Sequence, residues 1–146
     1  MTSKIRAVFF WGGIILYLCS FSLPAIMEVD TSIVRPGYDC ALMSILVVGM
    51  IPDLFRFGYT LLHCVIETAA IILVAPINLV LLLYAIASPF RPADRTVHVS
   101  RILIPLSIPF SWVIFHYEDY RPVEGHFLWV LGMLLVLVSG YSAARN

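Results

Sequence analysis

Asp53, Arg56, Thr60, His63 and Glu67 stand three, four, three and four residues apart in an otherwise apolar neighbourhood. On an α-helix that spacing lines all five along one face. Asn78 follows Glu67 by eleven residues, near three full turns, so a continuous helix extends the stripe to it. A carboxylate one turn from an imidazole can share a proton or hold a cation, and ionisable groups at membrane depth are candidates for transport. The residues between them, among them Leu54, Phe55, Leu61, Leu62 and Ile66, support a second reading. In it the stretch is an amphipathic helix lying in a bilayer interface, polar face in the headgroups, and Asp53 and Arg56 form an ordinary one-turn ion pair. Glu118, Asp119, Tyr120 and Arg121, closed by Pro122, mix acids with a tyrosine. A partner or cation could dock there, or the segment is a solvated turn.

Other signals are structural. Pro76 removes a backbone donor within an apolar run, and Asn78 can answer the freed carbonyl or reach a neighbouring helix. Ser107 with Ser111, and Gly140 with Ala144, are small pairs four residues apart that suit close helix contact. Cys19, Cys40 and Cys64 match neither a disulfide framework nor a zinc pattern, and are expected to serve as small hydrophobes. There is no phosphate loop, no His-Glu-x-x-His, no Gly-x-Ser-x-Gly and no Cys-x-x-Cys. No enzyme, cofactor or metal is therefore expected.

The elements that must position these residues are set by composition. Of 146 residues, 61% are hydrophobic and 12% charged, against about 25% charged in soluble domains. The apolar residues fall in long blocks, which points to lipid rather than an aqueous core. The expectation is an all-α, polytopic membrane helix bundle forming one domain. Zero net charge offers no field for nucleic acid. Spans are expected over residues 7–27, 68–88, 101–117 and 125–144, with 40–67 either a re-entrant or interfacial segment or an extra span. The first block is long for a signal core, so it is read as a retained helix.

Orientation follows Lys and Arg near the span ends. Lys4 and Arg6, then Arg91, Arg95 and Arg101, and finally Arg145 favour the cytoplasm. Residues 28–39 and 118–124 are acid-rich and become the outside loops. Four spans put both termini inside; the alternative, five spans, puts the three-arginine loop outside. Because His98 then lies inside and His116 and His126 near the outside, they cannot join His63 and Glu67 in one catalytic set.

Ser22-Leu23-Pro24-Ala25, Gly37-Tyr38, Pro76-Ile77-Asn78 and Gly125-His126-Phe127-Leu128-Trp129 resemble short multi-span bacterial inner-membrane proteins of unassigned function. In those proteins the Asn precedes the Pro. The resemblance implies a bacterial inner membrane and no particular activity. The functional expectation is a small membrane-embedded binding or accessory protein, of the immunity type against a toxin or a subunit of a larger complex, with oligomers allowed. The alternative is a proton- or cation-coupled transporter built on Glu67 and His63.

Overall fold

The structure, a computed structural model, describes residues 2–56, 58–91, 94–117 and 119–140, the side chain of Tyr117 excepted. It is mostly helical, as expected, but not all-α. Helix α1 (Ser3–Ser20) ends where Ser20 Oγ turns back to donate to the Tyr17 carbonyl at 2.6 Å. Pro24, with no N–H to continue a helix, opens strand β1 (Pro24–Glu28). After a turn in which Ser32 takes φ 56°, the chain forms β2 (Val34–Pro36). Far along the chain, β3 (Tyr120–Pro122) completes a sheet of order β2-β1-β3. Both pairings are antiparallel, and Met27 faces Val34 on one side and Arg121 on the other. The apolar residues Ala25 and Ile26, expected to finish the first span, are instead buried within the central strand of this sheet.

The remaining chain is helical. Residues Gly37–Leu54 form α2 (Gly37–Leu46), a 3-10 turn (Val47–Met50) and α3 (Ile51–Leu54). Next come α4 (Leu61–Val74) and α5 (Ile77–Ala87), separated at Pro76, whose missing donor favours an interruption there. Helix α6 (Arg95–Tyr117) begins before the expected span and runs through Pro105 and Pro109. Helix α7 (Glu124–Ser139) is shorter than expected, because Gly140 caps it in the left-handed region at φ 48°. The proposed Gly140–Ala144 pair therefore does not lie on this helix, and Ala144 falls outside the described residues.

Helices α1 and α7 pack backbone to backbone. A Cβ on Gly13 would stand 2.8 Å from the Gly132 carbonyl oxygen, and one on Gly132 would stand 2.7 Å from the Tyr17 nitrogen. Phe10 and Tyr17 of α1 share a buried core with Leu81 and Tyr84 of α5, Ile104 of α6 and Met133 of α7. The other faces stay apolar: Val8, Trp11, Leu79, Ile86, Ile102 and Val138 are exposed. Among the described residues, four helical stretches, Ser3–Ser20, Gly37–Leu54, Leu61–Ala87 and Arg95–His116, are long and apolar enough to cross a membrane, and α7 is an apolar but shorter helix.

The bundle has two distinct ends. At the sheet end meet the C-terminus of α1, the start of α2, the C-terminus of α6 and the start of α7. There the Gly37 N–H donates to the Leu23 carbonyl at 2.9 Å, and Gly125 lies so close to the Pro24 carbonyl that no Cβ fits. At the other end α5 passes to α6, and Arg101 Nε donates to the Tyr84 hydroxyl at 3.4 Å. Ile71 of α4 packs in one cluster with Leu54, Cys64 and Ile114, the last near the sheet end of α6. Residues 37–60 thus leave the sheet end and return to it.

Candidate functional site

The polar stripe is not one helix face. After α3, Gly58 takes φ 76° and the helix restarts only at Thr60, whose hydroxyl accepts from the His63 N–H at 3.3 Å as an N-cap. The expected continuous helix over residues 53–67 is corrected accordingly. Asp53 and Arg56 do form the expected pair, at 3.2 Å and exposed. His63 and Glu67 also meet: Nε2 lies 2.9 Å from the Glu67 carboxylate, and Tyr59 stacks on the imidazole at 4.6 Å. Glu67 is 3% exposed, buried among helices rather than set at a surface.

Asn78 belongs to a different constellation. Its Oδ1 accepts from the Tyr17 hydroxyl at 2.8 Å and from Trp129 Nε1 at 2.9 Å, tying α5 to α1 and α7. Of its two expected roles, the reach to neighbouring helices is the one made. Ser107 and Ser111 are buried and return their hydroxyls to the carbonyls of Ile104 and Ile108.

Beside Asn78 lies a partly open cavity of about 270 Å³, between the Gly37–Met50 stretch and the bundle, under the sheet. Met43, Val47 and Met50 line one wall, and Ile77, Ile114 and Phe115 line the other. Arg35, Asn78, Ser111 and His126 add polarity. His126 is 6% exposed, with Phe115 at 4.7 Å and Trp129 stacked at 5.4 Å, and its Nε2 is enclosed without a hydrogen-bond partner. Neither His63 nor Glu67 reaches this cavity. Sequence reasoning missed it. His126 stood out only as a histidine, and the covering stretch read as an isolated apolar block.

The loop candidates are a built element rather than a free turn. Tyr120 and Arg121 lie in β3, and the Asp119 carbonyl accepts from the Val29 N–H at 3.0 Å with Asp119 at φ 52°. Glu118 lies outside the described residues. Across the sheet, Arg35 Nε donates to Glu28 at 2.9 Å. Hydrogen bonds from Thr31 and Arg35 hold the Glu28 carboxyl below the usual carboxylate range. Among the described residues, no three His, Cys, Asp or Glu side chains group to hold a metal ion.

In comparisons with known families, curated proteins and solved structures, nothing matches the chain. The four short motifs of the sequence lie close together in the fold. Leu23 and Pro24 meet Gly37 and Gly125 backbone to backbone, and Asn78 bonds Trp129.

Proposed function

We propose that the chain is a multi-pass protein of the bacterial inner membrane that crosses four times, with both termini cytoplasmic, and acts by binding. It is either accessory to a larger membrane complex or protective against a membrane-targeted toxin. The observation that carries the topology is the pairing of β1 with β3. Paired strands lie on one side of a bilayer, so the chain between Glu28 and Tyr120 crosses an even number of times. That supports Leu61–Ala87 and Arg95–His116 as the two crossings between them, with Gly37–Leu54 kept at the sheet side although long enough to span, and with α1 and the shorter apolar α7 as the first and last crossings. Five spans would split the sheet across the membrane. Lys4, Arg6, Arg91, Arg95 and Arg101 gather at the other end, which supports that end as cytoplasmic.

A binding role is supported by what the outside end is made of. The sheet turns loops that would otherwise be mobile into a fixed polar platform carrying Glu28, Arg35, Asp119, Tyr120 and Arg121, and positioned loops are where recognition resides. The runner-up, a proton or cation pathway, has the buried Glu67 in its favour. It has against it that Glu67 and His63 share one helix and do not reach the cavity. Photo-crosslinkers placed at Tyr120 and at Leu79 in cells, with proton flux measured in proteoliposomes, test the choice. Discrete adducts from Tyr120 but not from Leu79, with no Glu67-dependent flux, are expected. Flux that Glu67→Gln abolishes would replace binding by transport.

A further inference from the structure

We propose that the cavity under the sheet takes one acyl chain of an anionic phospholipid from the outer leaflet. The site rests on the membrane placement proposed above, not on the identity of any protein partner. Three observations carry it. The first is size and lining: about 270 Å³, somewhat under twice the roughly 150 Å³ of an apolar cavity that holds benzene. Between Met43, Val47, Ile77 and Phe115, that is room for part of a chain and not for a whole lipid.

The second is charge. Arg35 is the charged residue on the lining, and it stands at the sheet end, where headgroups lie in the proposed placement. A guanidinium has five N–H donors, and Glu28, its ion-pair partner, takes the one on Nε and one of the two on a terminal nitrogen. The remaining donors suit a phosphate oxygen. Deeper in, both bonds to Asn78 use its oxygen, so its amide donors suit the ester carbonyl at the head of the chain.

The third is access. The covering stretch is pinned at its two ends, by the Gly37 N–H to Leu23 and by the Cys64 thiol, which donates to the Leu54 carbonyl at 3.2 Å. Between these pins Leu42, Ile45 and Leu46 point outward and exposed, while Ala41, Ser44 and Val47 face the cavity. Val47 and Ile51 also pack on the Leu54–Cys64–Ile71 cluster, so the part left to admit a chain sideways from lipid is the first half of the stretch, around Ala41 and Ser44.

Tryptophan quenching tests this, since the chain has three tryptophans and Trp129 lines the cavity while Trp11 is exposed on α1. Full-length protein carrying only Trp129 (Trp11→Phe with Trp112→Phe) is placed in vesicles of zwitterionic phospholipid. Brominated-chain phosphatidylglycerol, brominated phosphatidylcholine or brominated fatty acid is then added. Quenching by the phosphatidylglycerol should saturate at about a tenfold lower mole fraction than by phosphatidylcholine, which offers Arg35 the same phosphate oxygens but offsets their charge with its own choline cation. Arg35→Gln should erase that preference and Arg35→Lys keep part of it. Ala41→Phe, which fills the cavity, should remove the saturable component, while the outward Leu42→Phe should not; circular dichroism reports whether each variant folds. Quenching simply proportional to mole fraction, the same for both lipids and in Ala41→Phe, would overturn the site. So would fatty acid outcompeting phosphatidylglycerol, which would assign the cavity to a free carboxylate. In a Trp11-only protein both lipids should quench equally; no quenching there would overturn the membrane placement itself, separately from the cavity.

Discussion

Gly12 and Gly13 are neighbours on α1 that should respond oppositely to the same added methyl group. A Cβ at Gly12 meets nothing within 4 Å. Gly12→Ala therefore gains only helix propensity, about 0.5–1 kcal/mol. A Cβ at Gly13 would stand 2.8 Å from the Gly132 oxygen and 2.9 Å from the Val136 nitrogen, about 0.6 Å and 0.5 Å inside the 3.4 Å where ordinary contact begins. Both obstacles are backbone atoms, so no rotamer change relieves them, and α1 must move off α7. Overpacking of this kind costs about 1–3 kcal/mol. Set against the same propensity gain, Gly13→Ala should lose up to about 2 kcal/mol, leaving the two variants roughly 1–3 kcal/mol apart. The separation should also stretch the Tyr17–Asn78 bond, because Tyr17 packs on Gly132 from the same face. Thermal unfolding in detergent, followed by tryptophan fluorescence, measures both variants side by side. Equal shifts, or a Gly13→Ala as stable as Gly12→Ala, would refute the close α1–α7 approach.

Asn78→Leu removes the shared acceptor of Tyr17 and Trp129 and should cost about 1–3 kcal/mol by stranding two donors. A double-mutant cycle with Tyr17→Phe should show coupling on the order of 1 kcal/mol, and strict additivity would contradict the bond. Because the Glu28 carboxyl is held below its ordinary range, its contribution is present above the unfolded pKa, about 4.3, and is lost as pH falls through the lower folded value. Amide exchange in the β1–β2 turn should therefore accelerate in acid, and Glu28→Gln should flatten that dependence. A cysteine at Thr60, exposed at the α4 cap, should react with a water-soluble thiol reagent, whereas one at Leu62, exposed among apolar neighbours, should be shielded by lipid. Equal reaction at both would place α4 in water.

What the sequence makes legible is the apolar helix content and the charge asymmetry of the two ends, because both depend on composition and period alone. The sheet is not legible. Its strands are three to five residues long, too short for an alternating pattern, and two of them are joined only across most of the chain. For the same reason Ala25 and Ile26 read as the end of a span when they are buried members of β1. The stripe from Asp53 to Glu67 keeps helical spacing through a region that is not helical. The signal against it was Gly58, which takes the positive φ that breaks the helix and leaves Thr60 to start the next. Glu67 and His63 were visible as a pair because they share one turn. Asn78, Tyr17 and Trp129 were not, because their contact is tertiary.

The four-crossing placement is tested most directly by labelling intact cells with a membrane-impermeant thiol reagent. Single cysteines at Asp30, Thr60, Asp119 and His98 are introduced after Cys19, Cys40 and Cys64 are replaced. Asp30 and Asp119 flank paired strands, and Thr60 follows the stretch that returns to the sheet end. All three should be labelled from outside, and His98, on α6 near the arginine-rich end, only after permeabilisation. Labelling of Asp30 and Asp119 from opposite sides would contradict the shared sheet and the four-crossing protein built on it.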